Sequence, residues 1–292
     1  MIRVATNSEV EEILAHPRFL EARDAYIAGY LRIYSGDAAL NKLLAEAARH
    51  VIITFVICLG AASRKNDPDT WLTLAKLQQC VEEHKVGSAG LVEAIVARML
   101  DWGLLAASRP KADRRKRILM PTPQLLKHDR DIIIAQAMAT RMVMPSASMA
   151  LAVQCDPEFQ RHFRALSVAA FGPAVEMLAR HPEIMTFYKR DSGQMILFSL
   201  LSSALSSPEG NLSTITYQEM TVRFGVSRTH ARDTVAEAKA AGLVRVIKRG
   251  GSKIEITPRL WDATHRFLAD AMALFAACGE DSASGLKKRL PS

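Results

Sequence analysis

Residues 216–257 read TYQEMTVRFGVSRTHARDTVAEAKAAGLVRVIKRGGSKIEIT, and the order of signals in this stretch decides what the chain builds. A short amphipathic segment comes first, then the turn Phe224-Gly225-Val226, then a helical segment that Ser227 is placed to cap. On that second segment Arg228, Thr229 and Arg232 fall on one side, and Val235 and Ala238 on the other. Gly242 stops the helix and Leu243 to Ile247 alternates like a strand. Lys248-Arg249-Gly250-Gly251-Ser252-Lys253 then makes a basic turn before the returning strand Ile254-Glu255-Ile256.

Helix, turn, capped helix and basic hairpin in that order predict a winged helix-turn-helix. The chain repeats the plan upstream. Trp71 to Leu77 resembles Ile215 to Met220, Val86-Gly87-Ser88 corresponds to Val226-Ser227, Gly103-Leu104-Leu105 to Gly242-Leu243-Val244, and Thr122-Pro123 to Thr257-Pro258. The likeness extends further upstream, where His16-Pro17-Arg18-Phe19 matches Asp156-Pro157-Glu158-Phe159 and the apolar Val51 to Ala62 matches Gln194 to Ala204. Both apolar stretches predict buried helices, and each Thr-Pro pair opens a closing helix, Gln124 to Met144 and Leu260 to Ala277. Tyr26, Tyr30 and Tyr34 recur at helical spacing, as a packed stripe would.

The predicted fold class is mainly α with small β wings, carrying two winged helix-turn-helix domains. The first half spans 1–144, with its motif at about 70–122; 145–152 reads as a linker; the second half spans 153–278, with its motif at about 213–258; and 279–292 reads as a flexible basic tail. A length of 292 residues suits two domains.

A formal charge of +8 favours an anionic partner. The cations concentrate in Arg109 to Arg117, Arg223 to Arg232, Lys248 to Lys253 and Lys287-Lys288-Arg289. Cys58, Cys80, Cys155 and Cys278 form no CxxC pair, so neither a zinc site nor a disulfide framework is expected, and the thiols read as free and buried. Seven histidines, His16, His50, His84, His128, His162, His181 and His265, read as surface or satisfied helix positions, and no metal or cofactor is expected. The N-terminus lacks an apolar signal core and Val51 to Ala62 is too short to cross a bilayer, which predicts a cytoplasmic protein with no membrane partner.

LTLAKL at 72–77, the turn before Ser88, WGLL at 102–105 and above all RPKADRRKRILMPTPQLL at 109–126 resemble the MarR (multiple antibiotic resistance regulator) type of bacterial transcription factor. GVSRTHARDTVAEAKAAGLV at 225–244 is similar to the wider winged-helix class, including the GntR type, and ITPRLWDATHRFL at 256–268 closes in MarR fashion. Proteins of the MarR type are about half this length and act as homodimers. The resemblance therefore implies a single-chain pseudo-dimer, its two units joined through a helical core, associated with the bacterial nucleoid.

An α-helix fits the major groove, where the first turns of a recognition helix reach base edges. Arg228 and Arg232 are placed to grip guanine O6 and N7, Thr229 to touch a phosphate or a thymine methyl, and His230 to do either or simply line the surface. Cations beside flexible backbone follow phosphates or enter the minor groove. Arg109, Lys111, Arg114, Arg115, Lys116 and Arg117 suit that role in the first half, and Lys248, Arg249 and Lys253 in the second. Asp113 reads as orienting a neighbouring Arg.

The two units are not equivalent. Aligning Ser88 on Ser227 sets Ala89 against Arg228, Gly90 against Thr229, Leu91 against His230 and Glu93 against Arg232. The first helix has lost base-reading chemistry, so its unit either holds double-stranded DNA through the long basic wing or presents a surface to a protein partner. The leading expectation is a sequence-specific transcriptional regulator. The alternatives are a plasmid-type replication initiator, which also carries two winged helices, and a winged-helix interaction scaffold. Enzyme activity is not expected, because no Gly-rich phosphate loop, nucleophile elbow, metal-ligand spacing or carboxylate cluster stands in the sequence.

Overall fold

The computed structural model of the chain describes residues 2–34, 47–109, 116–248 and 252–287. The chain is mainly helical with small antiparallel sheets. In the first half α1 (Asn7–Leu14) and α2 (Phe19–Ile33) precede α3 (Ala47–Ala62), α4 (Leu74–Glu83), α5 (Ala89–Asp101), the hairpin β1 (Leu105–Ser108) and β2 (Ile118–Pro121), and α6 (Pro123–Val143). The second half holds α7 (Ala147–Gln154), α8 (Pro157–Ser167), α9 (Phe171–Ala179), α10 (Pro182–Tyr188) and α11 (Gly193–Leu205). It continues with β3 (Leu212–Ser213), α12 (Tyr217–Phe224), α13 (Arg228–Ala240), β4 (Val244–Lys248), β5 (Lys253–Ile256) and α14 (Pro258–Lys287).

The repeat seen in the sequence is a repeat of hydrogen bonds. Ser88 Oγ accepts from Leu91 N at 3.3 Å at the start of α5, and Ser227 Oγ accepts from His230 N at 3.0 Å at the start of α13. At the other end Gly103 and Gly242 take φ of 68° and 73°, left-handed values that a residue without Cβ adopts at no steric cost. Leu104 N then reaches Met99 O at 2.8 Å, and Leu243 N reaches Ala238 O at 2.9 Å, closing a Schellman motif on both helices. Thr122 Oγ1 donates to Gly103 O (2.8 Å) as Thr257 Oγ1 donates to Gly242 O (3.1 Å), tying the start of each closing helix to the end of α5 or α13. Even the third strand has a counterpart. Ile256 N reaches Asn211 O at 2.7 Å beside β3, and Leu119 N reaches Leu72 O at 2.9 Å.

Helices of both halves interleave in one core. α2 packs on α6 and α11, α3 on α8, and α1 and α8 on α14. Tyr26, Tyr30 and Tyr34 are buried, as their spacing predicts; Tyr26 stacks on Tyr30 at 5.0 Å and both meet Phe198 of α11 edge-on. Phe55 of α3 stacks on Phe171 at 3.9 Å, and Phe163 of α8 meets Phe275 of α14 at 5.2 Å. At the centre Asp129 of α6 receives Arg164 of α8 at 2.7 Å, with side chains 3% and 13% exposed, while Gln160 Nε2 donates to its other oxygen at 2.8 Å.

Two boundary expectations need correction. The stretch 145–152 is no linker: α7 starts at Ala147, capped by Ser146 Oγ accepting from Met149 N at 3.2 Å, and buries Ser148, Met149 and Ala152 against α6 and α14. The stretch 279–287 is no tail either, because α14 runs on to Lys287. Gly279 lies so near Met149 Cε that a Cβ there would collide with it, and Ser282 is buried with its hydroxyl donating to Cys278 O at 2.7 Å. Residues 288–292 lie outside the described residues. None of the four cysteines forms a disulfide; Cys58, Cys155 and Cys278 are buried and Cys80 is half-buried. Among the described residues no helix is long and apolar enough to cross a membrane.

Burial makes the Asp129–Arg164 pair costly to break, since removing one partner strands the other charge in the core. Asp129→Asn is expected to lower unfolding free energy by about 3 kcal/mol in urea titrations. Asp129→Leu combined with Arg164→Met is expected to restore most of that loss. A double variant no more stable than Asp129→Asn would show that the pair does not behave as a coupled buried charge.

Candidate nucleic-acid interface

The second half assembles its exposed basic face from local signals. A capping box opens α12, with Thr216 N donating to Glu219 Oε2 at 2.7 Å and Glu219 N donating to Thr216 Oγ1 at 3.2 Å. Gly225 ends it in the left-handed region at φ 67°. Tyr217, Met220 and Phe224 of α12 are buried, as are Ala231, Thr234, Val235 and Ala238 of α13. The helix therefore turns Arg228, Thr229, Arg232 and Ala236 to solvent.

These exposed side chains differ in how they are held. Among the described residues Arg228 has no side-chain hydrogen bond or ion pair. Arg232 Nη2 lies 3.1 Å from Asp233 Oδ1, with side chains 62% and 47% exposed. An exposed pair of this kind contributes about 0–1 kcal/mol, so an anionic partner can draw the guanidinium away. His230 faces the protein instead. Half-buried, it donates from Nε2 to the Asp191 carbonyl at 2.8 Å. Arg190, in the same loop, bonds Glu237 of α13 at 2.7 Å from Nε. The loop between α10 and α11 thus braces α13 and leaves Lys189 exposed beside it.

The hairpin completes the face. β4 and β5 pair antiparallel, and Lys248 stands opposite Lys253 at the last described register position. Both are exposed. Like charges directly opposite each other on a sheet repel, so an anion placed between them relieves a cost already present. Lower on the same hairpin Arg245 is neutralised by Glu255 at 3.1 Å. Arg249 lies outside the described residues.

Comparison with known protein families, with curated proteins and with solved structures finds no match for this chain.

The first half offers a different face. Ala89, Gly90 and Glu93 are exposed along α5, and Glu93 Oε1 accepts from Gln78 Nε2 at 2.9 Å. β1 and β2 pair from Leu105↔Pro121 to Ser108↔Ile118, so Arg109 and Arg117 leave the hairpin side by side, both exposed. Lys116 is exposed as well, its Nζ 5.9 Å from the Trp71 ring centroid in a cation–π contact. Lys111, Asp113, Arg114 and Arg115 lie outside the described residues. The structure thus groups Arg228, Thr229 and Arg232 on one helix face and Lys248 with Lys253 on one hairpin, and it sets His230 apart.

Sequence reasoning missed the brace from Lys189-Arg190-Asp191, because nothing local links it to α13; Arg190 lies 47 residues before Glu237. It also missed β3, whose two residues are too few to show a period.

The two serine caps hold the N-terminal ends of α5 and α13. Ser227→Ala and Ser88→Ala are each expected to cost about 1 kcal/mol and to speed amide exchange in the first turns of α13 or α5 only. Unchanged exchange at His230 N in Ser227→Ala would show that this cap contributes nothing.

Proposed function

We propose that the chain is a sequence-specific DNA-binding transcriptional regulator, with two non-equivalent winged helix-turn-helix units acting as a single-chain pseudo-dimer. The observation that carries the reading is the exposed pair Arg228 and Arg232, one helical turn apart on α13, beside Lys248 and Lys253 of the following hairpin, which meet no carboxylate among the described residues. The MarR-like and GntR-like motifs support it.

In this reading α13 enters the major groove. Arg228 and Arg232 bond the edges of guanines, each bidentate contact contributing about 1–3 kcal/mol of discrimination. Lys248 and Lys253 follow phosphates, and Thr229 supports either contact. His230 acts indirectly: its bond to Asp191 fixes the angle at which α13 leaves the core. The first unit, with Ala89, Gly90 and Glu93 in the corresponding positions, adds affinity through Arg109, Lys116 and Arg117 without reading bases. Such a protein recognises an asymmetric site, one half specified by base contacts and the other by backbone shape and charge.

Selection of bound duplexes from random DNA tests the reading. The intact chain is expected to enrich one sequence. Arg228→Ala with Arg232→Ala is expected to weaken that site by about 30- to 20,000-fold and bring it near the level of unrelated DNA. Lys248→Gln with Lys253→Gln is expected to weaken all duplexes alike and to flatten the slope of log K against log salt by about 2. No enriched sequence from the intact chain, or an Arg228/Arg232 variant as selective as the parent, would sink the proposal.

A further inference from the structure

The loop 189–192, between α10 and α11, lies against α13 and carries charges with no part in the reading above. Its shape is fixed by close contacts. Arg190 N reaches Phe187 O and Gly193 N reaches Arg190 O, each at 2.9 Å. Ser192 takes a left-handed φ of 54°, and its hydroxyl donates to Phe224 O, at the end of α12, at 3.5 Å. A Cβ on Gly193 would fall 1.8 Å from Phe187 O, so only glycine admits this turn. The loop then makes two bonds to α13, from the Asp191 carbonyl to His230 and from the Arg190 guanidinium to Glu237. It is thus held by both α12 and α13.

Helical geometry says which side of α13 the loop occupies. The buried Ala231, Thr234, Val235 and Ala238 define its inward face. At about 100° per residue, His230 and Glu237 lie along one edge of that face, and Arg228 and Arg232 lie along the other, about 140–180° around the helix. One edge carries arginines and the opposite edge carries the loop. A helix in the major groove has a phosphate backbone along each of its sides. Lys189 is exposed and makes no hydrogen bond or ion pair among the described residues. Arg190 pairs with Glu237, side chains 36% and 47% exposed, and so cancels a carboxylate that would repel phosphates on this edge. We infer that the loop 189–192 is a further DNA-backbone contact: Lys189 receives a phosphate across the groove from Arg228 and Arg232, while Arg190 silences Glu237. The inference rests on the proposal that α13 enters DNA.

A cation at the C-terminal end of α10 also suits the helix dipole, and that role alone would place Lys189 there for stability. Variants separate the two roles. Lys189→Gln removes the charge and keeps most of the length, whereas Lys189→Arg keeps the charge. Asp191 is exposed, and its carboxylate makes no ion pair among the described residues. Asp191→Asn therefore removes a free negative charge from the loop and leaves in place the carbonyl that His230 uses. Arg190→Gln uncovers Glu237, and Glu237→Gln in the same chain removes the charge so uncovered.

Fluorescence anisotropy of the full chain, on the duplex that selection enriches and on an unrelated duplex of equal length, reads these charges when repeated over a salt series. Lys189→Gln is expected to weaken both duplexes by the same factor and to lower the slope of log K against log salt by about 1, with the parent's urea midpoint retained. Lys189→Arg is expected to keep the parent slope, and Asp191→Asn to tighten both duplexes. Arg190→Gln is expected to weaken both about threefold or more, and the added Glu237→Gln to recover most of that loss. With the intact chain binding, an unchanged slope in Lys189→Gln, whether or not its urea midpoint falls, overturns the inference and leaves the proposed function standing. Failure of Glu237→Gln to rescue Arg190→Gln does the same. An intact chain that binds neither duplex overturns both.

Discussion

The fold turns on one buried ion pair. Asp129 and Arg164 come from the closing helix of the first half and an early helix of the second, and neither charge is tolerable in the core without the other. Their bidentate geometry, completed by Gln160, fixes α6 against α8 in both translation and rotation. α3 packs on α8, and α14 on α7 and α8, so the two halves acquire their mutual placement at this point. The outlying units inherit it. A single residue, Thr122, separates β2 from α6, and Thr257 alone separates β5 from α14. Each threonine is bonded back to the end of α5 or α13, so the orientation set in the core is carried outward with little slack.

What was legible in the sequence was local. Serine caps, glycine stops and Thr-Pro starts act over three or four residues, and the structure uses all of them at the positions their chemistry predicts. The internal repeat was legible for the same reason, since it is a repeat of these signals. The ion pair was not. Asp129 sits among Lys127, His128, Arg130 and Asp131, and nothing in that run marks it as the carboxylate that goes inside. Its partner lies 35 residues away. His50 and His128 fail in the same way: each reads as an ordinary helical histidine, and only packing brings them to one cavity. The join at 145–152 misled because small residues signal flexibility in solution but close packing against a helix, and Ala152 and Met149 do the latter. On α13 the exposure of Arg228 and Arg232 was legible from periodicity, whereas the inward turn of His230 depends on a carbonyl from the loop between α10 and α11.

The two units show which parts of the motif are scaffold and which are surface. Capping serine, left-handed glycine, Schellman closure and threonine tie recur in both, with bond lengths that differ by half an ångström at most. Every one of these positions satisfies a backbone group that a helix end would otherwise leave unpaired. The exposed positions share nothing: Ala89, Gly90 and Glu93 face solvent where Arg228, Thr229 and Arg232 do. Stability constrains the first set in each unit, and only what the surface meets constrains the second.

The short passage from Val143 to Ala147, which joins the halves and runs straight into a packed helix, also sets a concentration scale. Two separate subunits associate according to how many of them a cell contains, and fall apart when few are made. Halves tethered this closely meet at an effective concentration on the order of millimolar, whatever the number of copies. A chain built in this way keeps its two halves packed together at one copy per cell. A substitution in either half also alters one face only, so the faces can diverge step by step, a route closed to a homodimer in which each mutation appears twice.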